Sequence, residues 1–212
     1  GQVMDLHPWE PNEVGPALLA ALGAKGAPIV ALHLTRPNVS IPDRAKLKMA
    51  SHMEAAKGAY LIRDYDPARP KDGCIFVRGT SSTGSVIKLL EKGAFAGAGP
   101  NVKLVAAISH ELFMLQPKAW RDQLVTREDW FNSTFITNGG RMAMWLWAAH
   151  QTSMHYAMSS DFDDRWRTGG SVDEIIAEAH LDPDHLLEGI CRFVADREQR
   201  FEAAGLPAEF AR

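Results

Sequence analysis

Apolar and polar positions repeat along this chain with two different periods, and the period changes at glycines and prolines. Over 11–24 the apolar residues Val14, Leu18, Leu19 and Leu22 recur at helical spacing behind Asn12, a residue suited to capping a helix start. Gly23 and Gly26 end that helix. Residues 28–34 then form an apolar, β-prone run that stops at Arg36-Pro37, because proline has no N–H with which to continue a central ladder. Ser40-Ile41-Pro42-Asp43 sets a hydroxyl, a proline and a carboxylate where a helix start has free N–H groups, which predicts a helix over 42–57 closed by Gly58. Residues 59–63 read as a strand, and 64–73, with proline, aspartate and glycine in turn positions, as a surface loop.

From Cys74 onward strands and helices alternate. The buried run CIFV leads through the turn GTSSTGS, read as a tight turn with a hydroxyl N-cap, into a helix over VIKLLEKGAF. Strands are predicted at 102–108, 133–137 and 155–159, with short helices at 111–115 and 117–124 between them. Residues 140–150 are apolar around most of a helix circumference, as for a helix covered on several sides, and Trp145 and Trp147 are read as buried in it. A capping box at 171–174 opens one further helix, and Asp182-Pro183 opens a long one through 204 that Gly205-Leu206-Pro207 stops.

This order predicts an α/β fold: a three-layer sandwich over 58–212 with a mostly parallel sheet of about five strands. Ahead of it, residues 1–57 read as a helix-strand remnant of an adjacent domain and a linker. One helix and one strand cannot bury a core, so the chain, which starts at Gly1, is read as beginning inside a larger α/β unit. Leu18, Leu22 and Val30 then need cover, which predicts self-association or dependence on a neighbouring portion.

Composition narrows the classes further. The 212 residues are 46% hydrophobic and 23% charged with a net charge of −3, and the basic residues are scattered without a run, so no nucleic-acid partner is expected. No apolar stretch reaches membrane-spanning length and no signal-like start is present, so no membrane partner is expected and a cytoplasmic protein is. Cys74 and Cys191 both lie in apolar runs and read as buried free thiols.

Candidate chemistry is sparse. GTSSTGS fits neither phosphate-loop spacing, the eight histidines contain no HExxH and no Cys/His cluster, and no GxSxG occurs, so no metal site and no catalytic residue are predicted. Arg36 is the exception. A cation at a strand end is either a solvated loop charge or a placed anion receptor, and the local pattern leaves both open.

In order and spacing, His7-Pro8-Trp9-Glu10-Pro11-Asn12-Glu13, Leu34-Thr35-Arg36-Pro37-Asn38, Lys57-Gly58-Ala59-Tyr60, Val77-Arg78-Gly79-Thr80-Ser81-Ser82 and Ile108-Ser109-His110 with Phe113 and Gln116 resemble the C-terminal portion of transketolases. The resemblance implies that Arg36 binds the phosphate of a sugar substrate and that Glu10 contacts a substrate hydroxyl, with glutamate standing where the family has aspartate. It also implies thiamine diphosphate and Mg in the complete enzyme, held through a Gly-Asp-Gly motif that this chain lacks. Alone, the chain is expected to bind no cofactor and to be inactive, serving as part of a ketol transferase of the pentose phosphate pathway with a homodimer mate or an N-terminal portion as partner. Two alternatives stand beside this: a non-catalytic docking, dimerisation or regulatory module, and a portion of a related 2-oxo acid dehydrogenase.

Overall fold

The computed structural model describes residues 3–26, 29–148, 150–165, 167 and 169–205. Strand β1 (Val3–Leu6), helix α1 (Pro11–Gly23) and strand β2 (Ile29–Leu32) form a right-sized crossover unit in which the two strands pair in parallel, Met4 opposite Val30 and Leu6 opposite Leu32. The sequence reading began at α1 and missed β1, whose four residues are too few to establish an alternation.

The main sheet follows. Strands β3 (Ala59–Arg63) and β4 (Gly73–Arg78), helix α2 (Thr80–Glu91) and strand β5 (Val102–Ala107) come first. Short helices α3 (His110–Leu115), α4 (Lys118–Leu124) and α5 (Arg127–Phe131) lead to strand β6 (Ser133–Thr137). Helix α6 (Gln151–His155), strand β7 (Met158–Ser159) and helices α7 (Val172–Glu178), α8 (Pro183–Ala195) and α9 (Arg197–Ala203) are the last elements among the described residues. The strand order is β3-β5-β4-β6-β7, parallel except for the antiparallel edge strand β3. The expected five-stranded, mostly parallel three-layer sandwich is therefore the fold.

Every residue of β4, β5 and β6 is buried, as parallel strands covered on both faces require. Their alternation sorts side chains into two cores. Ile75, Val77, Leu104 and Ala106 face α2 and α8 through Val86, Leu89, Leu186 and Ile190. Cys74, Phe76, Val105 and Phe135 face the other way, toward Phe113, Met144 and Trp147. Phe76 lies 4.8 Å from Trp130 and 5.3 Å from Trp147 between ring centroids, so rings fill this second face.

Several expectations are corrected. The helix expected over 42–57 is a turn followed by a 3-10 segment, His52–Lys57, because Lys48 is left-handed at φ 55 and Met49 is drawn into the core. Gly58 closes it at φ 83, and a Cβ there would come within 2.3 Å of the Phe113 amide. Residues Arg141–Trp147 form a 3-10 segment rather than a covered helix: its three-residue period buries Met144 and Trp147 and leaves Met142, Trp145 and Leu146 exposed. The strand expected at 155–159 shrinks to β7, and the long helix breaks at Asp196, where Tyr156 Oη donates to the carboxylate at 2.9 Å. Cys74 is buried as expected, but Cys191 is exposed on the outer side of α8. The predicted roles of residues 28, 149, 206 and 207 fall outside the described residues.

A buried ion pair ties α5 to the sheet. Lys103 Nζ on β5 donates to Asp129 at 2.7 Å, and Tyr65 Oη at 2.7 Å and the Thr126 amide at 2.9 Å donate to the same carboxylate. Burial pushes the Asp129 carboxyl up, but these donors outweigh it and hold it below the usual carboxylate range. The stability it contributes is thus present above about pH 4 and lost as pH falls through the lower folded value. Lys103→Met is expected to cost about 3–5 kcal/mol at pH 7 by stranding the carboxylate. Urea unfolding should show that deficit narrowing toward pH 4 as Asp129 takes up a proton.

Candidate functional site

Glu10 begins α1. It sits in extended conformation (φ −139), its Oε2 accepts from the Asn12 amide at 3.2 Å, and Pro11 occupies the first helical turn, where no N–H is needed. One turn later Glu13 reaches back to accept from the Trp9 amide at 3.0 Å. Both carboxylates are buried, and both meet one guanidinium: Arg44 Nη2 donates to Glu10 Oε1 at 2.9 Å and to Glu13 Oε1 at 2.8 Å, while its Nη1 donates to the Ala50 carbonyl at 2.9 Å. Tyr60 Oη donates to Glu13 as well, and the guanidinium lies over the Trp9 and Tyr60 rings at 5.5 Å and 5.1 Å. Burial pulls the Arg44 pKa down, yet the Tyr60, Glu10 and Glu13 oxygens outweigh it and raise it above the ordinary value. Arg44 is a permanent cation in this cluster.

Beside the cluster a cavity of about 460 Å³ is lined by Pro8, Trp9 and Glu10 on one side and by Leu34, Thr35, Pro37, Asn38 and Val39 on the other, with Thr80 completing it. Glu10 and the segment carrying Arg36, distant in sequence, thus meet at one space. Arg36 is exposed between two lining residues, and no hydrogen bond or ion pair engages its side chain among the described residues. Glu10 has one carboxylate oxygen on Arg44 and the other on the Asn12 amide, so it is held in a fixed position.

Thr80 is the first residue of α2. The N-cap is Gly79 at φ 94, not a hydroxyl residue as the sequence suggested, and a Cβ there would come within 1.8 Å of Asn138 Oδ1. The Thr83 hydroxyl instead donates back to the Gly79 carbonyl at 2.8 Å, and no side chain caps the first turn. Free backbone N–H groups therefore remain at this end of the helix, next to the cavity.

A second, smaller pocket of about 50 Å³ is lined by Asp5, His7, Arg78, Ser109, His110 and Glu111, among others. Burial and the Arg78 charge lower the His7 pKa to about 3, against a smaller opposing pull from Asp5. Sequence reasoning missed both Arg44 and this group. Arg44 sits in a polar stretch without a motif, and the Asp5-x-His7 spacing carries meaning only once β1 is known to be a strand.

No family model matches this chain, and no curated protein matches it. Solved structures do. Transketolase from Leishmania mexicana superposes with a TM-score of 0.66 at 16% identity, over 92% of this chain and 25% of that one. A Pichia stipitis transketolase mutant in complex with xylulose-5-phosphate gives 0.65 at 17% identity, over 93% and 26%. Transketolase from Campylobacter jejuni gives 0.56 at 15% identity, over 90% and 26%. At these identities the likeness establishes the fold, which is consistent with the C-terminal portion of transketolases. The chain spans about a quarter of the length of the transketolases it matches.

The Arg44 cluster should behave as one unit. Arg44→Met leaves two buried carboxylates without a cation and is expected to cost about 3–5 kcal/mol at pH 7. Chemical denaturation checks this, and loss of less than about 1 kcal/mol would mean that the carboxylates find other partners.

Proposed function

We propose that this chain is the C-terminal part of a thiamine-diphosphate-dependent, transketolase-like enzyme that transfers a two-carbon ketol unit between sugar phosphates. In this reading residues 1–57 end a pyrimidine-binding domain and 58–212 form the C-terminal domain. The observation that carries the proposal is the meeting of Glu10 and the Arg36 segment at one cavity. A guanidinium with no partner among the described residues, beside such a cavity, suits a phosphate, onto whose oxygens it can fork, and the free N–H groups at the start of α2 favour the same charge. Glu10 is held by Arg44 with its side chain fully buried, so a small movement of the Arg44 side chain or the cavity wall would bring its remaining lone pairs to a sugar hydroxyl.

The cofactor itself does not fit here. A metal and a diphosphate need several oxygen donors converging on one point, whereas the one carboxylate among the cavity-lining residues, that of Glu10, already carries two hydrogen bonds. Thiamine diphosphate and its Mg would be held by the other portion of the enzyme, and the present residues would bind and orient the substrate. Leu19 (72% exposed), Leu22 (66%) and Ile29 (53%) support dependence on such a portion or on a second copy, because they leave an apolar face uncovered on the β1-α1-β2 unit.

The engagement of Glu10 by Arg44 favours one second reading, in which the cluster is structural and the unit serves docking alone. The two readings part on Arg36. In the complete enzyme Arg36→Ala should raise KM for phosphorylated sugars about ten- to a hundredfold, matching the loss of about 1.5–3 kcal/mol for a charged hydrogen bond, and leave unphosphorylated sugars nearly unchanged. An equal loss for both would assign the arginine to the loop instead of the substrate. Sedimentation of the isolated chain tests the apolar face: association that grows across micromolar concentrations is expected, and a clean monomer throughout would count against it.

A further inference from the structure

The register of the small sheet brings His33 beside Asp5 and His7. Asp5 is opposite Ala31 and Leu6 opposite Leu32 in the β1–β2 pair, and the ladder runs one step further, His33 N donating to the Leu6 carbonyl at 2.9 Å. Side chains of a strand alternate between faces, so Asp5 and His7 share one face, and His33, on the continuation of β2, stands beside His7 on that face. Their rings stack at 4.2 Å and 8°, and His33 Nε2 lies 3.1 Å from Asp5 Oδ1. One donor atom from each of the three lies within 4.8 Å of the others.

We propose that Asp5, His7 and His33 form a binding site for a borderline-soft divalent cation of the Zn²⁺ type. Two imidazole nitrogens and a carboxylate oxygen are a donor set that suits this ion and not Mg²⁺, which takes oxygen ligands. Donors around a tetrahedral ion with bonds of about 2.1 Å stand about 3.4 Å apart, so closing the set takes a rotation of the His33 ring that exchanges its stack on His7 for the metal bond, and the half-exposed side chain has solvent to turn into. The backbone beneath needs no movement. The His7 amide donates to the Ile108 carbonyl at 2.8 Å, which pins the end of β1 to the main sheet. The adjoining pocket of about 50 Å³ has room for a water as the fourth ligand, and its polar walls, Ser109 and Glu111 among them, can hold that water. Arg78 in the same wall opposes a dication, while Glu111 offsets it in part.

Co²⁺ is the direct probe, because a tetrahedral N/O site gives it an intense visible band that Zn²⁺ then abolishes by displacement. Titration of the full chain should give one Co²⁺ per chain, and Zn²⁺ should raise the melting temperature of the wild type. Asp5→Asn and His33→Ala, both at half-exposed positions, should each weaken Co²⁺ binding at least about tenfold and remove the Zn²⁺ stabilisation. His185→Ala, in the separate stacked pair His180–His185, should change neither. Absence of binding below about 1 mM, unchanged affinity in His33→Ala, or loss of binding in His185→Ala would each overturn the proposal.

Discussion

One guanidinium joins the two halves of this molecule. Arg44 stands on neither sheet, yet it binds two carboxylates from the first turn of α1, the Ala50 carbonyl and the face of Tyr60 on β3. Without it the two buried carboxylates would keep only the neutral donors of Trp9, Asn12 and Tyr60, and their desolvation would weigh against docking of the β1-α1-β2 unit. With it, the same carboxylates become the fixed points from which Trp9, the cavity and the end of β1 are positioned. The turn over 42–50 that replaces a regular helix also brings the Arg44 guanidinium onto the Ala50 carbonyl and the two carboxylates.

The two faces of the main sheet solve the packing problem differently. On one face the long helices α2 and α8 present aliphatic side chains, Val86, Leu89, Leu186 and Ile190, to aliphatic strand residues. On the other, α3, α4, α5 and the Arg141–Trp147 segment are each seven residues or fewer, too short to cover a sheet by ridges in grooves. Large rings take over that task, with Phe76, Phe113 and Trp147 meeting at tilted angles in the middle.

Strands β4, β5 and β6 were legible in the sequence because short β-prone stretches, CIFV, LVAA and TFIT, stand between turn residues and helical patterns. The capping boxes of α5 and α7 rest on local chemistry alone, and the one at 171–174 was legible for that reason. Arg36 stood out as a cation at a strand end, but its neighbourhood with Glu10 exists only after the chain has crossed over. Arg44 was invisible, since its partners lie 31 and 34 positions away. Trp145 and Trp147 were read alike, and a three-residue period sends one to solvent and the other to the core.

The β1–β2 sheet has only two strands among the described residues, and β2 is no more than half-buried along its length. The outer N–H and C=O groups of such a pair form a ready template for one more strand, whereas the main sheet is blunted at one edge by the two-residue β7. The small pair precedes in sequence the sandwich that anchors it, and it carries Leu19 and Leu22 uncovered beside it. Until it docks, the pair therefore offers both an open strand edge and an apolar helix face to any other chain nearby.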